Sequence, residues 1–136
     1  MKKTLSACVF VAASLSLTCC GGGTVDYARE FPRDTARAPS LGIQVVRDTT
    51  EIRLTNTTSR AFGPSTLWLN RWYSRPIDGL GVGETLTLQL ASFRDESSEA
   101  FRGGGFWATK QPQRIVSADL ESEGELLGLV VIADRR

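Results

Sequence analysis

From Leu41 onward the chain alternates apolar and polar residues with a period of two, the signature of half-buried strands. Ile43, Val45 and Val46 predict a first strand, and Asp48-Thr49-Thr50 predicts the turn after it. Glu51 to Asn56 alternates cleanly, and Thr57-Thr58-Ser59 with Gly63-Pro64 marks the next connection. Thr66 to Tyr73 (TLWLNRWY) is rich in β-favouring residues and holds no glycine or proline, so it predicts one strand. Pro76 and Asp78-Gly79 interrupt the pattern, and Gly79, Gly81 and Gly83 read as turn glycines. Thr85 to Leu90 places three leucines on one face. Phe93 to Gly105 is polar and glycine-rich and predicts a long hairpin loop. Phe106 to Thr109 predicts a short strand closed by Gln111-Pro112, and Arg114 to Leu120 a strand with Val116, Ala118 and Leu120 on one side. Leu126 to Ala133 is apolar except at its ends, as a central strand covered on both faces would be. No segment from residue 41 onward shows a helical period.

About seven strands in ~96 residues, with turn signals roughly every ten, predict an all-β domain. The expected architecture is a single antiparallel β-sandwich of immunoglobulin-like type, with a small β-barrel as the alternative. Two segments, IRLTNTTSRAFGPSTLWLN and GVGETLTLQL, resemble bacterial immunoglobulin-like or fibronectin type III-like modules of exported proteins. The cysteine pair of immunoglobulin domains is absent from the sequence.

The first residues follow a different pattern. Lys2 and Lys3 precede thirteen uncharged residues, Leu5 to Leu17. That run is too short to cross a bilayer core of ~30 Å as a helix, which takes about 20 residues, and it fits the apolar region of a secretory signal. Leu17-Thr18-Cys19-Cys20-Gly21 then resembles the junction of a bacterial lipoprotein signal. The resemblance implies cleavage before Cys20, a diacylglycerol on its sulfur, and Leu17 at position −3. Cys19 occupies −1, where Gly, Ala or Ser is usual; Cys19 as the lipid attachment site is the alternative, with Ser16 at −3. Residues 1–19 would be the signal peptide, residues 20–40 a lipidated cysteine and flexible tether, and residues 41–136 the folded domain. Gly21 to Ser40 has little apolar content, with Pro32, Pro39 and mixed charges, as linkers do. Free over its length, it would reach ~66 Å at most. Tyr27 and Phe31 offer a second reading, in which part of the tether docks on the domain.

Composition narrows the chemistry. The chain has 136 residues and no histidine, which removes Ser-His-Asp and Cys-His nucleophiles and every histidine-containing metal site. Its formal net charge is +1, so no nucleic-acid partner is expected. All three cysteines (Cys8, Cys19, Cys20) precede residue 21, so cleavage at Cys20 leaves a domain held by its apolar core alone. No cofactor is expected beyond the covalent lipid on Cys20, and no metal site. Asp95, Glu96 and Glu99 crowd one loop but do not match the spacing of an EF-hand. Gly103-Gly104-Gly105 lacks the Gly-Lys-Ser/Thr of a phosphate loop.

The tryptophans are the candidate binding residues. Trp68 and Trp72 fall on one face of the predicted strand, with Asn70 between them and Leu67 and Leu69 opposite. If the leucines face the core, the indoles form an exposed platform for a sugar ring or an apolar partner patch. In the alternative, one of them anchors the core. Trp107, after three glycines, is expected on the surface of a mobile loop, where it completes a patch or folds back. The expected function is a non-enzymatic interaction or accessory module, lipid-anchored in the cell envelope, with an envelope protein or glycan as partner. In a host with two membranes, the lipoprotein resemblance implies the outer membrane, because Gly21 stands after the anchor where some inner-membrane lipoproteins have Asp. A carbohydrate-binding module using surface tryptophans is the first alternative, and a small carboxylate-dependent hydrolase the second.

Overall fold

The computed structural model describes residues 28–132. Eight strands and one 3-10 turn account for its regular structure. They are β1 (Arg37–Ala38), β2 (Gln44–Asp48), β3 (Glu51–Thr55), β4 (Ser65–Leu69), β5 (Tyr73–Ile77), β6 (Thr85–Gln89), β7 (Ala118–Ser122) and β8 (Glu125–Ile132), with the 3-10 turn at Leu90–Ser92. The fold is all-β, as the alternation predicts: a curled sheet ordered β5-β4-β7-β8-β2-β3-β6.

β8 joins the two halves of this sheet. Its first five residues pair antiparallel with β7, from Ser122↔Glu125 to Ala118↔Leu129. Its last three pair parallel with β2, from Gln44↔Val130 to Val46↔Ile132. β1 also runs parallel to β8, at Leu126 and Leu127. Between β1 and β2 the alignment continues through Leu41 N–H to Gly128 O (2.8 Å) and Val130 N–H to Ile43 O (3.0 Å). Residues 37–46 therefore lie along β8 as one strand interrupted near Pro39, whose ring nitrogen has no proton to donate to a ladder. This corrects the expectation of a purely antiparallel sheet. Parallel neighbours require a long crossover, and here all of β3 to β7 supplies it.

Four local expectations also change. The run Thr66–Tyr73 is a hairpin, not one strand: β4 ends at Leu69 and β5 starts at Tyr73. Asn70 and Arg71 turn the chain with φ of 56° and 55°, and Trp72 N–H closes the turn on Leu69 O at 3.1 Å. Pro76 does not break the pattern but sits inside β5, an edge strand, where a missing N–H costs no ladder bond. Phe106–Thr109 forms no strand, and the predicted strand from Arg114 begins only at Ala118. Val116 is accordingly exposed.

The core lies inside the curl. Leu67 and Leu69 of β4, Leu120 of β7, Leu127 and Leu129 of β8, Val45 of β2 and Ile52 and Leu54 of β3 meet there. The loop after the 3-10 turn also feeds it, because Phe93 and Phe101 are fully buried and Phe101 packs edge-on against Tyr73, at 5.0 Å and 78°. Every member of this core falls between residues 38 and 131.

The expected tether is not free over its described part. The segment from Arg29 lies over the outer face of β4 and β7 as a strap and ends in β1, in the ladder beside β8. The docking of Phe31 raised from sequence is what the structure shows; Tyr27 lies outside the described residues. So do the signal segment and Cys8, Cys19 and Cys20.

Candidate functional site

Trp68 is where alternation puts it, opposite the core leucines, yet it is fully buried. The strap covers it. The Phe31 ring meets the indole edge-on, at 5.2 Å and 85°, and the Arg29 guanidinium sits over it at 5.0 Å. The indole Nε1–H donates to Glu121 Oε2 at 2.8 Å, and Arg29 closes the set through its own pairing with Glu121. Tryptophan suits this role because its apolar body fills the space while its N–H finds an acceptor. Trp68 therefore belongs to no exposed platform.

Beside it lies a buried ion pair. Asp119 is fully buried next to Trp68 across the ladder, with Gly128 on its other side. Arg37 Nε lies 2.7 Å from Asp119 Oδ1, and Arg71 Nε stands 4.0 Å from Oδ2. Charge holds this carboxylate rather than aligned hydrogen bonds. Gly128 makes the approach of Arg37 possible: a Cβ there would fall 2.5 Å from Arg37 Nη2 and 2.6 Å from Ser40 Oγ. The strap is thus fastened twice, by Arg29 and Phe31 on Trp68 and by Arg37 on Asp119.

Asn70 is not a binding amide either. Its Nδ2 donates to Arg114 O at 2.7 Å, and its Oδ1 accepts from Val116 N–H at 2.8 Å. These bonds fix the segment that leads into β7. Asn70→Ala should lower stability by about 2 kcal/mol, through lost hydrogen bonds and a left-handed backbone that alanine disfavours. Asn70→Gly should lose less, because glycine accepts that backbone. Urea unfolding measures both, and a wild-type midpoint for Asn70→Ala would contradict this role.

Trp72 stands in the turn and is 43% exposed, with its Nε1–H directed to Asp95 Oδ2 at 3.4 Å. It does not share a strand face with Trp68. Asp95 organises its own loop: Oδ1 accepts from Ser97 N–H (2.9 Å) and Glu99 N–H (2.8 Å). Glu96 and Glu99 point to solvent.

Trp107 is the member of the expected set that faces water, at 88% exposed, and Phe106 beside it is 91% exposed. They are the two central residues of a turn closed by Ala108 N–H to Gly105 O at 3.1 Å. Their rings meet edge-on at 4.8 Å and 89°. Sequence reading missed Phe106, assigning it to a strand.

The root of this loop is clamped. Arg47 donates to Thr49 O at 3.0 Å, Gly103 O at 2.6 Å and Gln113 O at 2.5 Å. Gln113 N–H bonds Arg102 O at 2.9 Å, its Oε1 accepts from Arg102 N–H at 2.8 Å, and its Nε2 donates to the Tyr73 hydroxyl at 2.8 Å. Two aromatics are thus held out on a rigid base. An open groove of about 700 Å³ runs between this loop and the ends of β2 and β8, with Val45, Val131, Ile132, Ile115 and Val116 among its walls. The legible signal was composition: a glycine triplet, two aromatics, a proline, and no acidic residue between Glu99 and Asp119. No protein-family model matches the chain, and neither the curated proteins nor the solved structures contain a match to it.

Proposed function

We propose that the chain is a lipid-anchored module of the cell envelope that works by contact rather than catalysis. The anchor reading rests on the lipoprotein-like junction Leu17-Thr18-Cys19-Cys20-Gly21. The contact reading rests on one observation above others: the Phe106–Trp107 tip is exposed, projects from a loop clamped at its root, and is engaged in no core packing. The buried polar side chains Asn56 and Asp95, and the part-exposed Asn70, are by contrast engaged in fixing turns and loops, and Asp119 in fastening the strap.

The strap changes the scale of the anchoring. Ala28 is the eighth residue after Cys20, and eight residue steps span ~29 Å at most. A lipid on Cys20 would hold the domain at the bilayer surface. Cys20→Ala should abolish palmitate labelling in a host that makes lipoproteins and release the chain from its membranes. Labelling that persists at the wild-type level, and disappears only with Cys19→Ala, would move the anchor by one residue. No labelling of the wild-type chain would end the lipoprotein reading.

The carbohydrate-binding reading keeps Trp107, with Trp72 half exposed, and loses Trp68 and Asn70. Titration of envelope polysaccharides against indole fluorescence tests it.

A further inference from the structure

We propose that the Phe106–Trp107 loop is a second membrane contact, docking on the headgroup layer of a bilayer that contains anionic phospholipid. The proposal deepens the envelope reading, from which it takes only the nearness of a bilayer.

The tip has the chemistry of an interfacial anchor. Two large aromatic rings project together from a turn of small residues, Gly104, Gly105 and Ala108. Tryptophan concentrates at the headgroup level because its ring is apolar and its N–H can stay wet, while phenylalanine drives the apolar side of such contacts.

Charge supplies the choice of occupant. Arg102, Lys110 and Arg114 are exposed around the tip, and none is in an ion pair among the described residues. No Asp or Glu lies between Glu99 and Asp119, so the segment carries +3. Several arginines elsewhere face acidic partners, as in Arg29–Glu121, Arg37–Asp119 and Arg60 between Glu123 and Glu125, while Arg47, Arg75 and Arg94 bond carbonyl or hydroxyl oxygens of the fold. An exposed aromatic pair on a segment carrying three cations outside any ion pair complements an anionic headgroup layer, where each Lys or Arg near the surface contributes about fivefold in affinity.

The clamp fixes the two ends of the loop, at Arg102–Gly103 and Gln113, which lowers the ordering cost of docking at its root.

The test uses the unlipidated chain from Gly21 to Arg136, which retains every residue of the core and the strap. Its cosedimentation is measured with vesicles of phosphatidylcholine alone and of phosphatidylcholine with phosphatidylglycerol. Binding to the anionic vesicles with a blue shift of indole emission is expected, and much weaker binding to the neutral ones. Lys110→Gln and Arg102→Gln should each weaken binding roughly fivefold. Phe106→Ser with Trp107→Ser should weaken it more than tenfold, given the apolar area removed from the contact, with the unfolding temperature unchanged as the check on folding. The proposal is overturned by a folded wild-type chain that ignores anionic vesicles, by binding indifferent to phosphatidylglycerol, or by binding that survives the double tip substitution. Because no lipidated protein enters this test, its outcome is separate from palmitate labelling, which decides the anchor.

Discussion

Gly128→Val should lower the stability of the domain by about 3 kcal/mol, although it adds an apolar, β-favouring side chain to a central strand. Its first added carbon would fall 2.5 Å from Arg37 Nη2 and 2.9 Å from Arg37 Cζ, so the guanidinium must leave. Asp119 would then be a buried carboxylate whose remaining cation is Arg71, at 4.0 Å. Orphaning one partner of a buried pair costs ~3–5 kcal/mol, and the lower figure applies because the Arg37 side chain is 39% exposed and water screens part of the loss. For a domain of this size the unfolding temperature should fall by about 12 °C or more. Adding Asp119→Asn to the Gly128→Val chain should recover part of the loss, since a neutral amide needs no counterion. Calorimetry of the three chains decides it; a Gly128→Val chain that melts with the wild type would remove Arg37 from the account.

Trp68→Ala should cost about 4 kcal/mol, in the range for deleting a fully buried large aromatic. The consequence extends beyond the cavity. Phe31 would lose its edge-to-face partner, Arg29 its ring, and Glu121 the indole donor. Each contact fastens the strap, so trypsin should cut after Arg29 and Arg33 faster than in the wild type, at temperatures where the rest of the domain stays folded. Phe31→Ala, which leaves the indole in place, should speed the same cuts with a much smaller loss of stability. Equal cleavage rates in all three chains would mean that Trp68 does not hold the strap.

Much of this fold could be read from the chain. Alternation located β2, β3 and β6, and the apolar run from Leu126 identified β8 as the central strand. What escaped was information that is not local. Nothing in TLWLNRWY marks a turn, because Asn70 and Arg71 take left-handed backbones without a glycine or proline between them. Alternation correctly placed Trp68 opposite Leu67 and Leu69, but burial on that face is set by Phe31 and Arg29, far away in sequence. Gly128 looks like any small residue in a strand until Arg37 is seen occupying the space of its missing side chain. Phe106 and Trp107 have strand propensity but no surface on which to bury a face, so the loop around them forms a turn instead.

The candidate site divides along the same line. Trp107 was legible as a surface residue because the glycine triplet before it has no strand character. Asn70 and Trp72 were chosen by their spacing within a strand that does not exist, and both instead serve the β4–β5 turn and its neighbours. The all-β class survives such errors, because it depends on the count of alternating segments and not on where each one ends.

The central position of β8 also fixes when folding can be completed. Without Glu125–Ile132, two strand sets remain, β5-β4-β7 and β2-β3-β6, with no ladder joining them and no neighbour for β1. A nascent chain that has not yet released this segment holds two half-sheets with their apolar faces open to water. Native assembly must wait for a late-made segment and then close its longest loops in one step, the costly order for a folding chain. The order of the strands along the chain thus puts the joining segment after every strand that it joins.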